Sequence, residues 1–297
     1  MSNPPGLTVM TFNIRYEEES DGRHAWRNRR TLALEVIRSH DPDLLGLQEP
    51  TAAQWASIAA ALPGHSPFGT AEHEWGEAEP HGGFFRTARF EPCATGLFWL
   101  SETPLVERSV SWPNDWGPRA CGWVKLHDRL ADRDLLFACT HFDTNAGAWL
   151  PSAKILHAEL DKVAGNLPVI LVGDFNCAAG SAAHRYLLEQ AAFRDAWREV
   201  AHSDEGVLTF NGFTPLTHIP RDADTWPQWL KATASPVEVV AHDAQHGPAH
   251  ENYRIDWILL RGSLSAVSAV IDCTSDNGLL PSDHYPVVVR IEYARSS

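Results

Sequence analysis

Basic residues are scarce in this sequence. Its 297 residues include 24 Lys and Arg against 38 Asp and Glu, which gives a formal net charge of −14. Tight binding of duplex nucleic acid draws much of its affinity from Lys and Arg that neutralise phosphates, and anionic membranes attract polybasic segments. The composition therefore disfavours tight duplex binding and a role at a membrane surface, although one local basic groove is compatible with the total.

Paired cysteines and long apolar runs are missing as well. The five cysteines include no Cys-x-x-Cys pair, and several, such as Cys139, lie inside apolar segments, so we expect buried, reduced thiols. No stretch approaches the ~18 consecutive apolar residues of a membrane-spanning helix, and the first ten residues lack the features of a secretion signal. We expect a cytoplasmic protein, and the oligomeric state stays open.

The apolar patterning predicts many strands and a few helices. Strands are predicted over 7–14, 44–48, 83–86, 97–100, 121–126, 135–140, 169–172, 257–260 and 287–291. Helices are predicted over 26–39, from Pro50 through 62, and over 152–164. Because no linker rich in Gly, Pro or Ser divides the chain, the pattern indicates one domain over residues 1–297, with two packed sheets and helices on their outer faces.

One segment does not fit this pattern. Residues 214–252 form a long polar stretch rich in Pro, His and Trp. Structureless loops longer than ~15 residues are uncommon in a compact domain and are often functional. Trp226 and Trp229 favour an ordered flap over an active site, whereas a variable surface excursion is the alternative, and the sequence leaves both open.

Polar residues stand at the ends of the predicted strands. They are Asn13, Glu49, His141, Asp174, Asn176, Asp256, Asp283 and His284. Strand ends that point the same way bring such side chains to one rim of a scaffold. Hard oxygen ligands without a cysteine pair suit Mg²⁺, Ca²⁺ or Mn²⁺ better than zinc, and histidine beside a carboxylate is suited to proton transfer. The set favours metal-assisted attack of water on phosphorus, although each residue alone also fits a turn or a core position.

Six short motifs carry a resemblance to a known family. They are TFN at 11–13, LQE at 47–49, TH at 140–141, GDFN at 173–176, RID at 254–256 and SDHYP at 282–286. In this order they resemble the endonuclease/exonuclease/phosphatase superfamily, which includes deoxyribonuclease I. The segment FWLSETP at 98–104 is similar to a bacterial branch of metal-dependent hydrolases. The resemblance implies an α+β fold, a four-layered α/β sandwich in which helices flank two packed mixed β-sheets.

The resemblance also implies a metal site. Glu49 would be the main metal carboxylate, and Asn13 and Asp283 would complete the shell through direct or water-mediated contacts. Magnesium is the implied ion and manganese a possible substitute.

The remaining residues would act on the phosphate and the water. Asp174 would orient or deprotonate the attacking water, and Asn176 would hold a phosphate oxygen. His284, paired with Asp256, would stabilise the charge of the transition state, and His141 would do the same from the other side.

Two further assignments follow from the resemblance to deoxyribonuclease I. Glu79, seven residues before Arg86, is the candidate partner of His141, with a solvated charge in an acidic run as the alternative. Arg119 matches a phosphate-contacting arginine, and its planar fork suits a phosphate, with a surface ion pair as the alternative.

The expected function is hydrolysis of a small or flexible phosphate ester by in-line attack of an activated water, as a phosphatase or a phosphodiesterase. The first alternative is a nuclease acting on single-stranded DNA or RNA, which would need a basic stripe beside Arg119. The second is an inactive binding module, which should have lost one of the catalytic residues, whereas Glu49, Asp174 and both histidines are present.

Overall fold

Two mixed six-stranded sheets pack against each other in the computed structural model, which describes residues 6–69, 81–200, 203–204, 206–219, 228 and 253–294. The first sheet has the order β11 (Leu264–Ile271), β12 (Val287–Tyr293), β1 (Leu7–Asn13), β2 (Leu44–Gln48), β4 (Gly82–Arg86) and β3 (His65–Gly69). The second has the order β5 (Phe90–Trp99), β6 (Ala120–Asp128), β7 (Arg133–His141), β8 (Val169–Asp174), β10 (Asp256–Arg261) and β9 (Arg194–Asp195). The pairs β1–β2 and β7–β8 are parallel, whereas the other neighbouring strands are antiparallel.

The main core lies between the two sheets. Val9 and Leu44 of the first sheet share one buried cluster with Phe137 and Val172 of the second, and full burial of such a side chain stabilises the fold by about 1.5–3 kcal/mol. The sheets approach closely at Gly46, where an added Cβ would lie 2.3 Å from Val172. A larger residue at this position would push the sheets apart, because close-packed interiors have no room for an extra methyl group.

Helices cover the outer faces of both sheets. The first sheet carries α1 (Trp26–His40) and α2 (Ala52–Ala61), and the second carries α3 (Ala146–Ala164) and α4 (Ala182–Glu189), each through a separate apolar cluster. A short helix, α5 (Ala196–Glu199), follows β9, and a 3₁₀ turn (Glu19–His24) precedes α1. This arrangement confirms the predicted four-layered α/β sandwich. None of the helices described here is long and apolar enough to cross a lipid bilayer.

Several element boundaries differ from the prediction. Helix α2 begins at Ala52 after a capping box between Thr51 and Gln54, so Pro50 precedes the helix and does not start it. Helix α3 begins at Ala146, six residues early, because Asn145 caps it and Pro151 is accommodated inside it. Strand β5 begins at Phe90 rather than at residue 97.

The sequence also missed five elements: β3, β9, β11, α4 and α5. Four of the eight residues of the edge strand β11 are exposed, so its sequence lacks the apolar run by which buried strands are recognised. The expectation of buried thiols holds for Cys121, Cys139 and Cys177, whereas Cys93 is exposed and Cys273 is half-buried, and all five cysteines are free.

Residues that flank the unusual segment 214–252 lie side by side. Tyr253 donates its N–H to the carbonyl of Val207 at 2.6 Å, and Thr209 donates its N–H to the carbonyl of Tyr253 at 3.1 Å. Within 214–252 the structure describes only 214–219 and 228, and Trp226 and Trp229 lie outside the described residues. The flap therefore stays a prediction.

Candidate active site

Strand pairing brings three of the predicted site residues into one row. His141 at the end of β7 lies opposite Asp174 at the end of β8, because these strands run parallel. Asp256 at the start of β10 lies opposite Asp174 from the other side, because β8 and β10 run antiparallel. Asn13, at the end of β1, reaches the row from the first sheet.

Asp174 is the centre of this row. Its Oδ2 accepts a hydrogen bond from Asn13 Nδ2 at 3.0 Å and lies 3.4 Å from His141 Nε2 and 3.6 Å from His284 Nε2. Burial favours the neutral acid, but the His284 charge, His141 and the Asn13 hydrogen bond together lower the pKa of Asp174 to about 2. Asp174 is therefore ionised at neutral pH.

His284 is held between two carboxylates. Its Nδ1 lies 2.9 Å from Asp256 Oδ2, while its Nε2 faces Asp174. Burial alone would lower the pKa of His284, but the charges of Asp256 and Asp174 raise it to about 10. The ring is therefore an imidazolium ion at neutral pH, and Asp256 fixes its orientation.

Thr209 fixes Asp256 in turn. The Thr209 hydroxyl oxygen accepts hydrogen bonds from the backbone N–H groups of Ile255 and Asp256, at 3.0 and 3.1 Å. The next residue, Phe210, packs edge-on against the His284 ring, with 5.0 Å between the ring centroids. The chain that leads into segment 214–252 therefore forms part of the wall of the site.

Glu49 and Asp283 lie on the other side of Asn13. Asn13 Nδ2 also donates to Glu49 Oε1 at 3.1 Å, and Glu49 Oε2 accepts from the Tyr16 N–H at 3.3 Å. Asp283 Oδ2 lies 3.9 Å from Arg15 Nε. Glu49 has a φ of 61°, a left-handed conformation that costs a non-glycine residue about 1–2 kcal/mol and persists where the surroundings enforce it.

Two groups of side chains have the chemistry to hold a divalent cation. In the first, Asp174, Asp256 and His284 place their ligand atoms within 4.8 Å of one another. However, both His284 nitrogens already face carboxylates, and a protonated imidazole cannot bind a metal. The carboxylates of Glu49 and Asp283 also provide the hard oxygen ligands that Mg²⁺ prefers, and their role as the metal ligands stays a prediction.

Asn13 contacts the carboxylates of Glu49 and Asp174 as a hydrogen-bond donor. Its side-chain oxygen accepts the Arg15 N–H at 3.0 Å, so its NH₂ group faces Glu49 and Asp174. This orientation makes Asn13 a donor that holds the two carboxylates together. It agrees with a water-mediated contact to a metal, and its role there stays a prediction.

Arg119, His141 and Asn176 form the opposite edge of the site. Arg119 Nη1 lies 2.9 Å from His141 Nδ1, and the Arg119 side chain is only 11% exposed, so it is not a surface ion pair. Asn176 Nδ2 lies 3.0 Å from His141 Nε2 and also donates to the Phe142 carbonyl at 2.8 Å. The expected contacts of Arg119 and Asn176 with phosphate stay predictions, and Glu79 lies outside the described residues.

Sequence reasoning missed Arg29, which ties the metal-side loops together. This fully buried side chain of α1 donates to the carbonyls of Ile14 and Pro281, at 2.6 and 2.9 Å. It also bonds the carbonyls of His24 and Arg15. Arg29 thus connects the loop after β1 to the loop that carries Asp283. No sequence signal marks this role, because Arg29 stands in a basic run of an amphipathic helix, where an exposed position is expected.

Replacing Arg29 with methionine should lower the free energy of unfolding by at least about 2–3 kcal/mol, because each buried carbonyl left without a donor costs about 1–3 kcal/mol. Urea denaturation measures this change. The matched control is Arg30→Met on the exposed face of the same helix, which should shift stability by no more than about 0.5 kcal/mol. Equal stabilities for the two variants would show that Arg29 does not hold these loops.

The family of the chain follows from a comparison with known families. The model of the endonuclease/exonuclease/phosphatase family matches residues 10–284, which include every site residue described above. The chain belongs to this family. The family's members are hydrolases that act on phosphoesters and generally depend on a divalent metal. No curated protein matches the sequence.

Three solved structures show how widely this family's fold is shared. A family protein from Bacteroides thetaiotaomicron is 24% identical, with 99% of this chain and 100% of that chain covered and a TM-score of 0.79. A mannosyl-6-phosphatase from the same organism is 25% identical, with 97% and 100% covered and a TM-score of 0.78. TDP2 from D. rerio, complexed with a single strand DNA product, is 15% identical, with 97% and 99% covered and a TM-score of 0.63.

Proposed function

We propose that this protein is a Mg²⁺-dependent phosphatase that hydrolyses a small phosphate ester, a sugar monophosphate being the best candidate. The observation that carries the proposal is the position of Asp174. This ionised carboxylate lies between two histidines on one side and the Asn13–Glu49 pair on the other. A phosphate and an attacking water bound there would face a cationic donor and a metal-binding carboxylate at once.

The residues around Asp174 have different roles in the proposed reaction. His284, His141 and Asn13 lower the pKa of Asp174 and keep it ionised, so it would orient or deprotonate the attacking water. The His284 imidazolium lies within the same row, where it can donate to a phosphate oxygen as negative charge develops. Arg119 and His141 approach from the opposite edge.

A divalent ion at Glu49 and Asp283 would neutralise phosphate charge and act as a Lewis acid when bound. Magnesium is the proposed ion because the ligands are carboxylates, and manganese would replace it because it prefers the same oxygen ligands.

The choice of a small ester rests on charge and on one relative. The mannosyl-6-phosphatase at 25% identity supports a sugar monophosphate. The net charge of −14 and the acidic residues Asp115 and Asp143 near Arg119 work against a nucleic-acid strand. An inactive binding module is disfavoured because the catalytic carboxylates and histidines are present and lie together. We include a cytoplasmic location in the proposal, supported by five free cysteines.

A substrate panel with Mg²⁺ tests this proposal. Mannose 6-phosphate, glucose 6-phosphate, glycerol 3-phosphate, bis-p-nitrophenyl phosphate and a single-stranded oligonucleotide would be compared by phosphate or product release, with Asp174→Asn as the inactive reference. We expect kcat/KM for at least one sugar monophosphate to exceed that for the diester and the oligonucleotide by roughly tenfold or more. Preferential cleavage of the oligonucleotide would establish the nuclease alternative instead.

A further inference from the structure

Trp116 is exposed and yet fixed in place. Its side chain belongs to the loop between β5 and β6, and 60% of the residue's surface is accessible. The indole N–H donates to the Thr144 hydroxyl at 3.0 Å, and the backbone N–H of Trp116 donates to Asp143 Oδ2 at 3.0 Å. Single exposed apolar residues are common, but a tryptophan held at both its backbone and its ring nitrogen presents a rigid apolar face to solvent.

A short chain of contacts links this indole to the active site. Asp143 follows His141 by two residues, is only 2% exposed and also accepts the N–H of Asp115 at 2.8 Å. Its Oδ2 lies 3.9 Å from Arg119 Nε, and Arg119 Nη1 lies 2.9 Å from His141 Nδ1. The loop that carries Trp116 is therefore anchored on the same buried carboxylate that lies beside the edge of the site.

Polar groups surround the indole of Trp116. The Thr144 hydroxyl accepts the indole N–H and donates to Asp115 Oδ2 at 2.9 Å, and Asn145 Nδ2 donates to Asp115 Oδ1 at 3.3 Å. Aromatic faces next to amide, hydroxyl and carboxylate groups suit a sugar, whose C–H face packs on a ring while its hydroxyls form hydrogen bonds. The carboxylates of Asp115 and Asp143 would repel a second phosphate, so the surroundings disfavour a polynucleotide.

We propose that Trp116 is a specificity-determining residue on which the pyranose ring of a sugar phosphate stacks, while the phosphate group reaches the site at Asp174 and His284. This inference rests on the proposed phosphatase function and adds the binding site for the leaving group. The relevant chemical class is a pyranose monophosphate, in contrast to phosphate esters without a ring.

The test compares mannose 6-phosphate with glycerol 3-phosphate, which has no ring to stack. In Trp116→Ala, the ratio of kcat/KM for mannose 6-phosphate to kcat/KM for glycerol 3-phosphate should fall about five- to tenfold, because an aromatic stacking contact contributes about 1 kcal/mol. The loss should appear mainly in KM for the sugar phosphate, since the stacked ring is distant from the reacting atoms. Trp116→Phe, which keeps an aromatic face, should recover part of the ratio.

Leu105→Ala is the matched control, because it removes an apolar side chain that is 85% exposed in the same loop. The ratio in this control should equal that of the wild type. An unchanged ratio in Trp116→Ala, or an equal loss in the control, would overturn the inference.

A binding measurement separates this inference from the proposed function. If the wild type hydrolyses no sugar monophosphate of the panel, the proposed phosphatase function fails. Calorimetric titration of mannose 6-phosphate into the wild type and Trp116→Ala then decides the subsite independently. A dissociation constant five- to tenfold weaker in the variant would support the stacking site, whereas equal constants, or no binding to the wild type, would refute it.

Discussion

Replacing His284 with alanine should lower kcat by roughly 10²–10³, because removing one preorganised donor to a developing oxyanion typically costs that much. The His284 ring is buried, and Asp256 and Asp174 keep it protonated at neutral pH. The donor is therefore in place before the substrate binds and needs no reorganisation. Its contact strengthens as charge builds on the phosphate, so KM should change little. Steady-state kinetics on the best substrate of the panel measures both constants.

A substitution of Asp256 tests whether Asp256 and His284 work as one unit. Asp256→Asn should cost less than His284→Ala, because the imidazole keeps a hydrogen-bond partner but loses part of the charge that keeps it protonated. The double variant should be little worse than His284→Ala alone. The control is His40→Ala, which breaks a histidine–aspartate contact of 2.7 Å with Asp272 outside the site and should leave kcat unchanged. Fully additive losses of kcat in this double-mutant cycle would show that Asp256 and His284 act independently, and the role proposed for Asp256 would then be wrong.

The sequence was informative where apolar runs end in a polar residue. The predicted bounds of β2 agree with the structure, because this strand is buried along its whole length and reads as a continuous apolar segment. Asp174 and His141 follow such strands directly, and the parallel pairing of β7 and β8 then places them side by side. The family resemblance gave their order, and the sheet geometry explains why they meet.

The role of a residue could not be predicted from the sequence where it depends on partners far away in the chain. Arg29 joins the carbonyl of Ile14 to that of Pro281, which is 252 positions away in sequence from Arg29. No local pattern distinguishes it from the exposed Arg30 next to it. Asp143 likewise accepts hydrogen bonds from the backbone N–H groups of Asp115 and Trp116, which precede it by 28 and 27 positions. Such contacts exist only after the sheets and loops have assembled.

Side-chain orientation is the other quantity that the sequence could not supply. Asn13 was expected near the metal, but nothing in TFN shows which end of its amide faces the carboxylates. The structure directs its NH₂ group towards Glu49 and Asp174 because the Arg15 N–H occupies its oxygen. The left-handed φ of Glu49 likewise has no signal in the sequence.

Removal of the divalent metal should abolish activity, and addition of Mg²⁺ or Mn²⁺ should restore it. EDTA treatment followed by dialysis and metal titration measures this. Full activity of the chelated protein would eliminate the metal mechanism, since two carboxylates without a cation would repel the phosphate that they are proposed to bind.

The Glu49→Gln variant locates the ion. Replacing one carboxylate oxygen with an amide nitrogen removes a charge and one of the hard ligands, so the metal affinity should fall by at least 10–100-fold, roughly the loss found even for residues that only support metal ligands. Calorimetric titration with Mn²⁺ measures the affinity without relying on turnover. Asp283→Asn should weaken binding in the same direction, while Glu35→Gln, an exposed position on α1, should leave it unchanged. Wild-type affinity in Glu49→Gln, together with a loss in Asp256→Asn, would move the ion to the group of Asp174, Asp256 and His284. His284 would then have to give up its proton to bind the metal, and its role as a cationic donor to the phosphate would fall with the Glu49 site.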